Sequence, residues 1–316
     1  MAVQGRNSRF AIHALPQSAL SCYSMAMLTD RLLFKGICCI SDRYIRGLKA
    51  PPDVERRVNI SYGMHGKWNL LDVYYPRGTD RPLPTIVSIH GGGYVYGTKN
   101  LYQYYCMDLA RRGFAVVNFN YRLVPKVSFP QPVIETNEVM AWVCANAADF
   151  FIDTENVFFV GDSAGAQIAS QYSAAVANPG YAALLGLSIP AFRLKAVALN
   201  CGMYERPYEV DSPLPGLLKD YFGKDPQKHG DKIDVLKFID GNFPPAFVMS
   251  SANDFLLPHA RPMFEHLRQK GIEAVFEVYG TKEQKEINHV FHLRVFSETA
   301  KKCNDAQCGF FRKFIS

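Results

Sequence analysis

The chain has 316 residues, of which 48% are hydrophobic and 20% charged, with a formal net charge of +6. That length buries a large core and fits one big α/β domain with a small lid, or two modest domains; the ordinary composition excludes disordered and collagen-like classes. A mild positive charge with no dense basic stripe argues against a nucleic-acid partner.

Phe10 to Thr29 carries no Lys, Arg, Asp or Glu, and Arg6 and Arg9 precede it. This faintly echoes an export signal. His13, Pro16, Gln17 and three serines dilute its apolarity, and no apolar run reaches membrane-spanning length. The segment reads better as a loop leading into a lid helix. Ser18 to Ile45 then reads as one or two helices with apolar positions at Leu20, Met27, Leu28, Leu32, Phe34 and Ile37. Pro51-Pro52 breaks the pattern, so residues 1–50 are expected to be a helical N-terminal cap and residues 51–316 the main domain.

Strand-like runs follow at Arg57–Ser61, Asn69–Tyr75, Thr85–Ile89, Phe114–Asn118, Val157–Val160, Lys195–Asn200, Ala246–Ser251 and Ala274–Tyr279. The first two alternate, as an antiparallel pair does; the later ones are continuous apolar runs, as in a parallel sheet buried on both faces. Helices are expected over Leu101–Arg112, Val133–Ala148, Ala164–Ala177, His259–Lys270 and Leu293–Phe314. The alternation predicts a mostly parallel, eight-stranded, doubly wound α/β sheet. Residues 204–243, rich in Pro, Asp, Lys and Tyr, interrupt the rhythm and read as a cap-like insertion.

Two motifs carry chemistry. Gly161-Asp162-Ser163-Ala164-Gly165 lies between the run Val157–Val160 and an alanine-rich helix-like segment. A serine at the apex of a strand–turn–helix has an exposed hydroxyl. His90-Gly91-Gly92-Gly93 follows the run Thr85–Ile89, where backbone N–H groups can stabilise an oxyanion. Both motifs, each after a predicted strand, are a much stronger signal than either alone. A serine hydroxyl needs a base within reach, and the base needs a carboxylate to fix its tautomer. Asp254 follows the run Ala246–Ser251, and His289 lies beyond the next run and a polar segment, in the order serine, acid, histidine. The candidates are therefore Ser163, Asp254 and His289, with oxyanion donors at Gly92, Gly93 and Ala164. His292 is a rival for His289, and Glu283 and Glu286 are rivals for Asp254. His90 reads as structural, and Asp162 as a loop-holding or solvated group. Eight scattered cysteines with no C-x-x-C pair exclude zinc and thioredoxin-like readings and suit free thiols in a reducing cytoplasm.

From about Val73 to Phe296 the chain resembles the bacterial hormone-sensitive-lipase-like esterases of the α/β-hydrolase superfamily. The resemblance is carried by His90-Gly91-Gly92-Gly93-Tyr94, by Tyr121-Arg122-Leu123-Val124-Pro125 with Phe129-Pro130, by Gly161–Gly165, and by Pro244-Pro245-Ala246-Phe247 leading to Asp254. It implies hydrolysis of small carboxylic esters with short to medium acyl chains, no metal or organic cofactor, and an N-terminal cap. Deacetylase, formamidase or other amide-cleaving activity on the same residues, and a non-catalytic ligand-binding role, are the alternatives; a homodimer is possible. Ala166, Lys126 and Val290 depart from the family pattern, where glycine, an acidic residue and glycine are usual.

Overall fold

The computed structural model describes Leu32, Lys35, Gly36, Ile45 and residues 47–204, 215–223 and 225–316. Apart from Leu32, Lys35, Gly36 and Ile45, the helices expected within Ser18–Ile45 lie outside the described residues, as do most of the N-terminal cap and the start of the insertion.

Eight strands form one sheet: β1 (Val54–Ser61), β2 (Leu70–Pro76), β3 (Leu83–Ile89), β4 (Ala115–Phe119), β5 (Ile152–Asp162), β6 (Leu194–Asn200), β7 (Ala246–Ser251) and β8 (Ala274–Tyr279). Their order is β1-β2-β4-β3-β5-β6-β7-β8. β2 pairs antiparallel with both β1 and β4, and every other pairing is parallel. The helices are α1 (Lys99–Ala110), α2 (Gln131–Ala145), α3 (Ala164–Ala177), α4 (Pro179–Leu185), α5 (Pro215–Phe222), α6 (Leu257–Gln269) and α7 (Glu298–Arg312).

The continuous apolar runs are explained by burial on both faces. Ile86, Phe158, Val160, Ala198 and Met249 pack on one side with Tyr105 and Leu109 of α1 and Phe311 of α7. Their neighbours Val87, Phe159, Val197 and Val248 pack on the other with Val139 of α2, Ile168 of α3 and Met263 of α6. Each fully buried large side chain contributes roughly 1.5–3 kcal/mol, so the central strands admit few polar residues.

Helix α3 is buried along almost its whole length, from Ala164 to Ala175. It is enclosed between the sheet and the insertion, where Gln171 Nε2 donates to the Ile233 carbonyl at 3.4 Å. Its run of Ala, Gly and Ser is what lets it lie close to both.

Two expectations need correction. The last helix begins at Glu298 rather than Leu293: Phe291–Leu293 forms a separate 3-10 turn, and Ser297 caps α7 by accepting from Ala300 N–H at 3.1 Å. Helix α4 was not anticipated; Asn178 caps it, accepting from Tyr181 N–H at 3.1 Å. Its few residues carry too little periodicity to stand out.

Candidate active site

Parallel strands end at one rim of the sheet, and that rim is where open α/β sheets hold ligands. Asp162, Asn200, Met249 and Glu277 form one row across β5, β6, β7 and β8. Ser163, Cys201, Asp254 and His289 all lie beyond this row, so sequence segments far apart converge.

Ser163 joins β5 to α3 with φ 53° and ψ −121°. A non-glycine residue there is strained, and only surrounding structure holds it. The flanking glycines make the turn possible. A Cβ on Gly161 would lie 2.3 Å from the Gly165 carbonyl oxygen, and one on Gly165 would lie 2.1 Å from the Ile89 carbonyl oxygen. The turn is thus pressed against the end of β3, where the glycine loop begins. Ser163 N–H donates to the Asn200 carbonyl at 2.9 Å, which fixes its backbone to β6.

The glycine loop is held from several sides. His90 is buried, its Nδ1 lies 2.8 Å from the Gly91 carbonyl, and its ring stacks on Tyr121 at 4.2 Å. Burial pushes its pKa down to about 4, against the Gly91 carbonyl contact, so it is neutral at pH 7. Tyr121 donates to the His90 carbonyl at 2.8 Å. Gly92 has φ 120°, and a Cβ there would lie 2.2 Å from the Tyr96 carbonyl oxygen. Among the described residues, no backbone carbonyl accepts from the N–H groups of Gly92, Gly93 or Ala164. Ala164 opens α3, where free N–H groups and the positive end of the helix dipole coincide.

His289 and Asp254 meet directly, with His289 Nδ1 2.8 Å from Asp254 Oδ1. The carboxylate also accepts from Ser250 Oγ at 3.0 Å and from Leu256 N–H at 2.8 Å. Burial works to raise the Asp254 pKa; the facing His289 ring, the Cys201 thiol and the Leu256 N–H outweigh it and hold the carboxyl below its ordinary value. At His289, burial disfavours the charged ring, but Asp254, with a further contribution from Asp162, raises the pKa above the ordinary 6.5. The ring keeps 23% exposure and packs against Phe255 at 4.6 Å.

The rival histidine is elsewhere. His292 is fully buried, edge-on to Tyr105 at 5.2 Å, and neither ring nitrogen has a hydrogen-bond partner among the described residues. Burial, with the neighbouring His289, lowers its pKa to about 3. Glu283 and Glu286 are exposed in the segment before His289, and Asp254 is the carboxylate that faces the ring.

Two supporting residues, Tyr102 and Cys201, escaped sequence reasoning, and a third, Asp162, fits the loop-holding alternative. Asp162, read there as loop-holding or solvated, is buried, and its Oδ2 accepts from Tyr102 Oη at 2.6 Å. Tyr102 also accepts from Gly91 N–H at 2.8 Å. Cys201 is buried directly after β6, and its Sγ lies within 4.8 Å of a His289 ring nitrogen and an Asp254 carboxylate oxygen. This is the group among the described residues whose donor atoms could hold a metal ion, although His289 and Asp254 already hydrogen-bond to each other. The signal for Cys201 was positional: it follows a parallel strand, as His90 follows β3.

A mostly parallel eight-stranded sheet, with a serine on a strained turn between its central strand β5 and helix α3, defines an α/β-hydrolase fold. The BD-FAE family model matches residues 71–270, and the chain belongs to that family. The chain is 29% identical to the probable carboxylic ester hydrolase LipM of Mycobacterium tuberculosis, over 71% of this chain and 54% of that protein. It spans about half the length of the first curated relatives it matches. Among solved structures it is similar to esterase B from Lactobacillus rhamnosis (TM-score 0.85, 23% identity, 92% of this chain and 95% of that one). It is also similar to the form of that esterase inhibited by a tributyrin phosphonate (TM-score 0.84, 24% identity, 92% and 96%). Among the described residues, no helix is long and apolar enough to cross a membrane.

Proposed function

We propose that the protein is a serine esterase that hydrolyses small carboxylic esters with short to medium acyl chains. The observation that carries this reading is the 2.8 Å contact of His289 Nδ1 with Asp254 Oδ1, at the same sheet rim as the strained Ser163 turn. The names of LipM and esterase B support it.

With Nδ1–H donating a hydrogen bond to the Asp254 carboxylate, His289 has Nε2 available as a base. His289 takes the Ser163 proton as the hydroxyl oxygen attacks the ester carbonyl. The resulting oxyanion is stabilised by the N–H groups of Gly92, Gly93 and Ala164; one such donor is typically worth about 3–4 kcal/mol in the transition state. His289 then protonates the departing alkoxide, leaving an acyl group on Ser163. Water, deprotonated by His289, attacks that acyl-enzyme and releases the acid. Asp254 stays ionised throughout and orients the ring. Residues 1–50 and the insertion at 204–243 form the cap in this reading.

The test combines turnover with labelling. The protein should hydrolyse aryl esters of short acids, and an organophosphonate should modify Ser163 in stoichiometric amount. Ser163→Ala should lose both, with turnover down by at least about 10⁴-fold and the fold intact. Near wild-type rates in that variant would sink the proposal. A panel of acetylated sugars and amides then separates ester from amide preference.

A further inference from the structure

We propose that Cys201 is a positioning residue for the His289–Asp254 pair, its thiol holding the carboxylate and the backbone beside the ring in one geometry. The inference rests on the esterase reading and adds a side chain to it. Cys201 follows β6, the strand between those that lead to Ser163 and to Asp254. Its N–H donates to the Met249 carbonyl at 2.7 Å, and the carbonyl of the preceding Asn200 accepts from Ser163 N–H at 2.9 Å. The residue is therefore fixed to both neighbouring strand ends.

Its side chain spans the remaining gap. Cys201 has φ 51°, an uncommon conformation for cysteine. In that conformation Sγ lies within 4.8 Å of both an Asp254 carboxylate oxygen and a His289 ring nitrogen. Burial, with the Asp254 carboxylate beside it, keeps the thiol protonated, its pKa raised well above the ordinary value. Val290 directly follows His289 and is itself left-handed, with φ 53°. A β-branched residue keeps that conformation only when its surroundings fix it. No backbone carbonyl among the described residues takes the Val290 N–H. Ser250 and Leu256, the other donors to Asp254 besides His289, belong to the acid's own segment. Cys201 Sγ brings the end of a third strand, β6, against both that segment and the histidine loop. Other groups that face the ring are Asp162, His292 and Phe255.

Cys201→Ala, Cys201→Val and Cys201→Ser are compared with wild type by kcat and KM on an aryl ester, by the pH profile of kcat/KM, and by NMR titration of the His289 ring without substrate. Loss of the thiol lets the His289–Asp254 contact loosen. Alanine and valine should then lower kcat about tenfold, leave KM within about twofold, and move the His289 titration and the acid limb to lower pH. Serine, which donates and accepts along similar lines, should recover most of kcat. Valine is β-branched and therefore strained at φ 51°, so alanine carries the comparison, with the His289 titration read on its folded fraction. A wild-type kcat and His289 titration in the alanine and valine variants would overturn the proposal. So would equal losses in all three that follow the folded fraction while the limb stays in place. If wild type turns over no ester, the esterase reading fails, and the ring titration still decides for or against Cys201.

Discussion

Tyr102 joins the two halves of the site: its hydroxyl donates to Asp162 Oδ2 at 2.6 Å and accepts from Gly91 N–H at 2.8 Å. The residue before Ser163 and the first glycine of the loop are thus held by one phenol. Tyr102→Phe leaves a buried carboxylate oxygen and a buried N–H each short of a partner, a loss of roughly 1–3 kcal/mol. Urea unfolding should register that loss. Because the loop is proposed to carry two oxyanion donors, kcat should fall by about tenfold with little change in KM. An unchanged kcat would show that the loop is held without the phenol.

The His289 pKa sets the expected pH dependence. Asp254 raises it above 6.5. The ring must be neutral to act as a base, so kcat/KM should fall as pH drops through that raised value. Asp254→Asn removes the main cause of the raise. The acid limb should then shift to lower pH, and the rate at neutral pH should drop by about 10³–10⁴-fold as the tautomer is lost. A limb unmoved by Asp254→Asn would separate it from His289.

His292 should matter to stability in acid and not to turnover. Its folded pKa is about 3 against an ordinary 6.5, and that of His90 is about 4. Both are depressed, so the unfolded chain binds protons that the folded one refuses. Their effect is absent above about pH 6.5, and the fold loses stability as pH falls from there toward 3–4. His292→Phe should flatten part of that loss in denaturant titrations at several pH values, while kcat stays within about threefold. A large kcat loss would mean that the ring acts at the site.

Two glycines separate close approach from helix entropy. Gly165→Ala forces a methyl to within 2.1 Å of a β3 carbonyl, so the protein should lose about 3 kcal/mol or more, or fail to fold. Gly309 lies inside α7 with nothing within 4 Å of where a Cβ would stand, so Gly309→Ala should gain roughly 0.5–1 kcal/mol. Thermal unfolding of both variants tests the contrast.

Much of this was legible in the residues. Strands such as Ala115–Phe119 and Ala246–Ser251 are buried on both faces, and such segments show as unbroken apolar runs. The contact of His289 with Asp254 follows from both lying beyond neighbouring strands. What escaped was set by tertiary contacts. Tyr102 could not be told from its neighbours Tyr104 and Tyr105, because its role depends on Asp162, sixty positions away at the end of β5. Cys201 looked like one more apolar-context thiol, because its partners come from two later segments. The start of α7 was misplaced because Phe291 and Leu293 continue a helical apolar pattern, although Val290 and Arg294 leave helical geometry on either side of the 3-10 turn.

The row of strand ends from β5 to β8 has a consequence for biosynthesis. A growing chain completes the serine turn and the glycine loop long before residue 289 is made. A chain short of that point contains the proposed nucleophile and oxyanion donors but lacks the proposed base. On the esterase reading, ester cleavage therefore requires the segment that follows β8, and a chain ending before residue 289 should show none.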